Sequence, residues 1–309
     1  MPTALVTHPA CVEHDPGRFH PESPARLRAV MNALEAEEFA LLQRREAPRA
    51  ELEWIARAHG SFFVGKMLAA IPKDGYAALD GDTIVSPGSG EAALRAAGAV
   101  CAAVDAVMTG EARNAFCAVR PPGHHAEREI AMGFCVFNNI AIGAYHARAR
   151  HGIKRAAVVD FDVHHGNGTQ AMFWDDADLF YASTHQFPLY PGSGAANERG
   201  RHGNVVNVPL PPMTDGQSFR DQVAGQIVPA LRKFKPEIVL ISAGFDAHEA
   251  DPLASLRLRE GDYHWITAEL VKLANETCKG RVVSTLEGGY DLTALANSAA
   301  AHVRALMTT

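Results

Sequence analysis

The chain has 309 residues, of which 47% are hydrophobic, and its formal net charge at pH 7 is −6. This length and composition suffice for one large core, and no linker or charge block divides the chain, so we expect a single domain over residues 1–309. The acidic balance without a clustered basic face argues against binding to nucleic acid.

The first ten residues lack the basic start, apolar stretch and cleavage site of a signal peptide. We also expect no apolar run to approach the ~18 residues of a membrane span, and hence no membrane association. The cysteines form no C-x-x-C pair, which predicts neither disulfides nor a thiolate zinc site. These features predict a cytoplasmic protein with buried thiols.

Short apolar, β-branched runs predict strands that are buried on both faces. They cover residues 4–7, 115–119, 156–160, 179–183, 205–208, 238–242 and 282–286. Helix-length segments lie at 91–108, 139–150, 219–233, 262–278 and 293–307. This alternation predicts a parallel sheet with helices on both sides, in which ligands bind beyond the carboxyl ends of the strands.

Asp160, Asp162 and His164 follow the predicted strand 156–160 directly. On an extended chain the two aspartates share a face and lie roughly 6.6 Å apart. Carboxylates so close at the end of an apolar strand repel each other and lose hydration unless a cation neutralises them. Asp162 and His164 could offer an oxygen and a nitrogen to one ion; the alternative is a solvated surface turn.

Asp246 follows the strand 238–242 after a glycine and is the natural third ligand. Three protein ligands with an open position are typical of a catalytic zinc site, because the open position holds water or substrate. His248 is an alternative ligand, which we favour less because Asp246 lies nearer the strand end.

The other two candidate positions follow strands 115–119 and 282–286. His124 and His125 come after a Pro-Pro-Gly turn and suit proton transfer near neutral pH, although tandem histidines are often satisfied polar groups. Tyr290 follows two glycines, and its hydroxyl could stabilise an oxyanion. The alternative for Tyr290 is a cap of the next helix.

Taken in order, these motifs resemble the histone deacetylase family over nearly the whole chain. They are His-Pro-Glu-Ser-Pro-Ala-Arg-Leu at 20–27, Arg-Pro-Pro-Gly-His-His at 120–125, Gly-Phe-Cys at 133–135, the segment 160–168, Ala-Gly-Phe-Asp at 243–246 and Glu-Gly-Gly-Tyr at 287–290. The resemblance implies a three-layer α/β/α arginase/deacetylase fold with a central, mostly parallel sheet of about eight strands. Asn167, where class I enzymes typically have aspartate, resembles the class II-like bacterial branch.

The resemblance also implies a role for each site residue. One catalytic zinc ion would be bound by Asp162, His164 and Asp246. His125 would be the general base and acid, with His124 as its electrostatic partner, Tyr290 as the carbonyl-polarising hydroxyl, and Asp160 and Asn167 orienting the two histidines. A structural potassium would be held by Asp160, Asp162, His164, Ser183 and Thr184, and a second monovalent cation has an optional site near Phe173, Asp176 and Leu179.

The family's substrate tunnel matches Gly133 and Phe134, and Tyr190 is placed to form the opposite aromatic wall. Polyamine deacetylases of the family usually carry an acidic gatekeeper where Leu253 stands, so acyl-lysine is favoured as substrate. Asp82 could contact the substrate backbone or be an exposed loop acid.

Two further loop features leave alternatives open. Gly88 falls where some class II relatives have a serine that anchors the substrate. Phe187 and Leu189 could line a pocket or a subunit interface, which allows a homo-oligomer.

The sequence therefore predicts zinc-dependent hydrolysis of the amide bond in an N-acyl lysine peptide or a related acylated amine. One alternative is an acetylpolyamine or other small-molecule amidohydrolase, and another is a non-catalytic acyl-lysine binder, which an intact His124, His125 and Tyr290 argue against. An arginase-like dimanganese ureohydrolase needs a second bridging carboxylate two residues after the histidine ligand, where Gly166 stands.

Overall fold

The computed structural model describes residues 2–309, and its main element is a parallel sheet. The strands found in that range are β1 (Thr3–Thr7), β2 (Gln43–Glu46), β3 (Ala77–Ala78), β4 (Ile84–Val85), β5 (Asn114–Cys117), β6 (Ala156–Asp160), β7 (Leu179–Gln186), β8 (Val205–Leu210), β9 (Ile238–Ala243) and β10 (Val282–Leu286). Strands β3 and β4 form a small antiparallel pair. The other strands form one sheet in the order β2-β1-β5-β10-β9-β6-β7-β8, with every neighbouring pair parallel.

The helices surround this sheet. Those described are α1 (Pro24–Ala33), α2 (Leu52–Ala58), α3 (Ser61–Ala69), α4 (Ser89–Thr109), α5 (Asn139–His151), α6 (Asn167–Phe173), α7 (Gly216–Gln222), α8 (Val228–Phe234), α9 (Glu260–Thr277) and α10 (Leu292–Thr308). A π-helical segment, Val223–Ile227, joins α7 to α8. Short 3-10 helices cover Pro9–Val12 and Glu37–Phe39. Helices α1, α9 and α10 pack together as one group and α2, α4 and α5 as another, which gives the predicted three-layer α/β/α fold.

All seven predicted strands are confirmed, because buried apolar runs are the strongest strand signal in a sheet that is covered on both faces. The sequence did not predict the eighth strand, β2, whose residues are Gln-Arg-Arg-Glu. Strand β2 pairs only with β1, at the edge of the sheet, where charged residues discourage pairing with another chain.

Helix α4 corrects one expectation about membranes. It is 21 residues long and has a mean hydropathy of 1.5 over its most apolar window, so it could span a membrane by length and composition. In the structure 72% of that window is buried, and α4 packs against α5 and β5. The expectation that no apolar run approaches this length was wrong, and the run is a helix of the core. The cysteines among residues 2–309 are buried and unpaired, as predicted.

The centre of the sheet brings the sequence motifs together. Strands β5, β10, β9 and β6 are consecutive neighbours, and each is followed by one of the four candidate motifs. Asp160 is paired in register with Ser242, and Leu286 with Ala243, so these strands end at the same level. The motifs therefore meet at the carboxyl edge, where parallel sheets bind ligands.

Candidate metal centre and active site

Asp162, His164 and Asp246 form a cluster of potential metal ligands whose donor atoms all lie within 4.8 Å of one another. Nδ1 of His164 is 3.2 Å from Oδ1 of Asp162 and 3.1 Å from Oδ2 of Asp246. Burial and the neighbouring Asp162 carboxylate raise the pKa of Asp246 to about 7. Two buried carboxylates beside one imidazole match the ligand chemistry of a catalytic zinc site, and a cation would relieve their repulsion.

Backbone amides hold the two carboxylates in place. Gly288 donates its N–H to Oδ2 of Asp162 at 2.8 Å, and Val163 donates to Oδ1 of Asp246 at 2.9 Å. A Cβ at position 288 would overlap carboxylate oxygens of both aspartates, so only glycine fits there. The loop after β10 therefore supports the cluster as well as carrying Tyr290.

His124 is held as a buried cation beside the cluster. Its Nδ1 lies 3.0 Å from Oδ2 of Asp160, which also accepts the Tyr181 hydroxyl at 3.1 Å. Burial would lower the pKa of His124, but the carboxylates of Asp160 and Asp162 outweigh it and raise that pKa to about 10. The predicted pairing of Asp160 with His124 is thus present as a contact.

His125 has the opposite electrostatic state. Its Nδ1 lies 2.9 Å from Oδ1 of Asn167, whose amide nitrogen donates to Oε1 of Glu127 at 2.8 Å. Since the Glu127 carboxylate can only accept, the amide oxygen of Asn167 faces His125 and accepts its Nδ1–H. Burial and the nearby His124 and His164 lower the pKa of His125 well below its ordinary value. His125 is therefore neutral, with a free lone pair on Nε2.

Tyr290 lines the pocket and does not cap the next helix. The cap of α10 is Asp291, whose Oδ1 accepts the N–H of Ala294. The guanidinium carbon of Arg26 lies 4.9 Å from the centre of the Tyr290 ring. Burial raises the pKa of the phenol well above its ordinary value despite the Arg26 charge, so the hydroxyl stays protonated and can donate.

A narrow pocket of about 230 Å³ reaches these residues. All five residues predicted to contact substrate line it, namely Asp82, Gly133, Phe134, Tyr190 and Leu253. The aromatic rings approach the catalytic candidates: the Tyr190 ring centre is 5.1 Å from that of His125, and the Phe134 ring centre is 6.0 Å from that of Tyr290. Residue 133 must be glycine, since a Cβ there would overlap the His125 ring.

Three loop residues from the sequence analysis now have definite positions. Leu189 lines the pocket. His248 lies outside the metal-ligand cluster, with its Nε2 3.7 Å from Oε1 of Glu260. Gly88 is at the start of α4, packed so closely on the backbone of Glu13 that no side chain fits, and it is not among the pocket-lining residues.

The residues considered for monovalent cations fall in two places. Asp160 and Ser183 are register partners on β6 and β7, and Thr184 is the next residue of β7. The backbone carbonyls of Phe173, Asp176 and Leu179 converge on Nδ2 of Asn204, which lies 2.9, 3.1 and 2.8 Å from their oxygens. The second monovalent cation site near these carbonyls stays a prediction.

Sequence reasoning assigned no role to two residues that shape the site. Glu287 is buried, and its Oε2 accepts the N–H groups of Gly123 and His124 at 2.7 and 3.2 Å. Its signal was present, since an acid directly follows the apolar strand β10. Arg26 gave no such signal, because only the fold brings helix α1 beside Tyr290.

The fold and the cluster define a class of α/β protein, in which a candidate metal centre at the carboxyl edge of a parallel sheet lies at the end of a narrow pocket. The family model described as "Histone deacetylase domain" matches residues 20–306. Histone deacetylase 14, chloroplastic, of Arabidopsis thaliana is 40% identical, covering 93% of this chain and 73% of that protein. The histone deacetylase-like amidohydrolase of Pseudomonas aeruginosa is 40% identical, covering 88% of this chain and 72% of that protein.

A solved structure, the crystal structure of the HDA15 HD domain, matches with a TM-score of 0.92 and 33% identity. The match covers 99% of this chain and 88% of that one. The chain belongs to the histone deacetylase family. This membership supports a hydrolase with deacetylase activity in general.

Proposed function

We propose that the protein hydrolyses the amide bond of N-acyl lysine side chains in a zinc-dependent reaction, releasing a carboxylate and the free amine. The observation that carries this proposal is that His125, Tyr290 and the Asp162, His164 and Asp246 cluster converge on one narrow pocket with aromatic walls.

The donor set of Asp162, His164 and Asp246 would hold the zinc ion. When bound, zinc would supply a Lewis acid that lowers the pKa of water toward ~7 and polarises the acyl carbonyl. The structural potassium that the resemblance implies, held by Asp160, Asp162 and His164 with Ser183 and Thr184, is part of this proposal.

The protein residues divide the proton transfers between them. His125 accepts a proton at Nε2 as water attacks the acyl carbon, and its Nδ1–H stays hydrogen-bonded to Asn167. The Tyr290 hydroxyl donates to the oxyanion that forms, and the His124 cation stabilises negative charge nearby. His125 then returns the proton to the amine nitrogen as the carbon–nitrogen bond breaks.

The pocket walls support a slender aliphatic substrate such as acyl-lysine. Phe134, Leu189 and Leu253 supply apolar surface along it. Acetylpolyamine is the second candidate, because the carboxyl group of Asp82 also lines the pocket and could pair with a second ammonium. Burial and the neighbouring Asp80 raise the pKa of Asp82 above its ordinary value.

The dimanganese ureohydrolase alternative is disfavoured by the space around Gly166 as well as by the sequence. A Cβ at Gly166 would overlap Oδ2 of Asp160, so a bridging aspartate has no room at that position. The binder alternative is disfavoured by a neutral His125 with a free Nε2 and a protonated Tyr290 hydroxyl at the same pocket.

The test measures release of acetate from acetyl-lysine peptides and from acetylpolyamines, before and after chelation and after zinc is restored. We expect the peptide to be the faster substrate, with activity lost on chelation and regained with zinc. Faster polyamine turnover would favour the second candidate. Turnover that chelation leaves unchanged would overturn the zinc mechanism, and binding of both substrates without turnover would favour the binder.

A further inference from the structure

A second group of metal-ligand side chains lies outside the pocket, formed by Asp105, His146 and His151. Nε2 of His146 is 2.9 Å, and Nε2 of His151 is 2.7 Å, from the same Oδ1 atom of Asp105. The three potential ligand atoms lie within 4.8 Å of one another. The proposed reaction uses none of these residues.

The group joins two helices near the amino ends of the sheet strands, on the side of the sheet away from the pocket. Asp105 is in the last turns of α4, which leads into β5, and both histidines are on α5, which leads into β6. In a parallel sheet such helix ends lie near the amino ends of the strands. Gly143 permits the close approach of the helices, because a Cβ there would overlap Val100 of α4. Two packed helices therefore set the ligand spacing.

One side of the group is buried and the other is partly exposed to solvent. The His146 side chain is 1% exposed, its ring lies 4.9 Å from that of Trp54, and its Nδ1 has no hydrogen-bond partner in the part of the chain described, so Nε2 makes its polar contact. His151 is the last residue of α5, with its side chain 16% exposed, and the Asp105 side chain is 38% exposed. An ion can reach the group from solvent and keep water as a further ligand.

We propose that Asp105, His146 and His151 bind a divalent transition-metal ion, with zinc as the best match, and that the ion links α4 to α5. Two imidazole nitrogens and one carboxylate oxygen suit zinc, cobalt or nickel, whereas magnesium and calcium prefer oxygen ligands alone. On binding, each imidazole would carry its proton on Nδ1, which frees Nε2 for the ion, and any additional proton would be released to solvent. This proposal is independent of the deacetylase mechanism.

Trp54 provides a readout that the catalytic cluster does not share. Nickel is paramagnetic and should quench the fluorescence of an indole packed on its histidine ligand. In enzyme that holds zinc only at the catalytic cluster, with the Asp105 group free, titration with Ni²⁺ should give saturable quenching of Trp54 fluorescence that is absent in Trp54→Phe. His151→Asn and Asp105→Asn should raise the Ni²⁺ concentration at half-maximal quenching, the midpoint, by at least about tenfold. Loss of a metal ligand has a larger effect than loss of a residue that only contacts a ligand.

The matched control is His202→Asn, which removes an exposed histidine outside the group and should leave the midpoint unchanged. An unchanged midpoint in both His151→Asn and Asp105→Asn would overturn the proposal.

Metal content separates this proposal from the catalytic one. After equilibration with zinc and removal of the excess, the wild type should hold two ions and His151→Asn one, with deacetylation unchanged. Asp246→Asn should also hold one ion, with deacetylation lost. A single ion in both the wild type and His151→Asn would overturn the second site alone. Retention of both ions and full activity in Asp246→Asn would overturn the catalytic assignment alone.

Discussion

The two metal-ligand groups lie at opposite ends of the strands of one sheet and differ in what surrounds them. Asp162, His164 and Asp246 are buried on loops after strands, and His164 lines the pocket. Asp105, His146 and His151 are on helices, and nothing in the described chain places a pocket with a proton-transfer pair beside them. Similar donor atoms thus support chemistry at one edge and crosslinking at the other, because reaction also requires a base, an oxyanion donor and room for substrate.

The largest expected effect comes from removing the base. His125→Ala should lower kcat by about 10² to 10⁴, since positioned proton transfer contributes that much. Its zinc content should match the wild type, because His125 is not one of the proposed ligands. Asp105→Asn, far from the pocket, should keep kcat within about twofold, because substitutions away from the site usually have effects of that size or smaller. A larger loss of rate would contradict the contrast between the two groups. Initial rates on an acetyl-lysine peptide provide the measurement.

Tyr290→Phe tests the oxyanion donor separately from the metal. We expect turnover to fall by about 10² to 10³, as for the loss of one preorganised donor. The phenyl ring keeps its packing beside Arg26, so zinc content and thermal stability should not change. Turnover equal to the wild type would remove Tyr290 from the mechanism.

His302 belongs to neither group, and it tests how the free energy of unfolding depends on pH. Burial lowers its pKa to about 3 from 6.5, so between those values the unfolded chain binds a proton that the folded chain does not. Stability should therefore fall as pH drops below 6.5. The loss between pH 7 and pH 5 should be about 2 kcal/mol smaller in His302→Gln than in the wild type. Urea unfolding at both pH values tests this, and an equal pH dependence would contradict it.

The smallest expected effect concerns substrate choice at the pocket. Leu253→Glu adds a carboxylate where the pocket is partly open, so the rate on acetylpolyamine relative to acetyl-lysine peptide should rise by about two- to fivefold, as a screened ion pair allows. Leu253→Gln is the matched control without charge. Equal ratios in both variants would show that charge at this position does not select the substrate.

Much of the fold followed from local patterns. The seven buried strands were predictable because each is a short apolar run between polar turns, and β2 was missed because its residues are charged. The helix predicted over 219–233 contains a π-helical segment that no periodicity indicated. The contact of the Asn204 amide with the carbonyls near Phe173 was not predictable for a similar reason, since only the folded chain brings these groups together.

By itself, the sequence determined the kinds of residue at each strand end, and with them the family and the candidate ligands. Only the tertiary structure decided the partners of the two histidines. The order of strands placed His124 beside Asp160 and Asn167 beside His125. These surroundings raise the pKa of His124 and lower that of His125. The Asp105, His146 and His151 group likewise exists only through the packing of α4 on α5. Local patterns reflect burial and backbone preference, whereas these contacts join residues far apart in the chain.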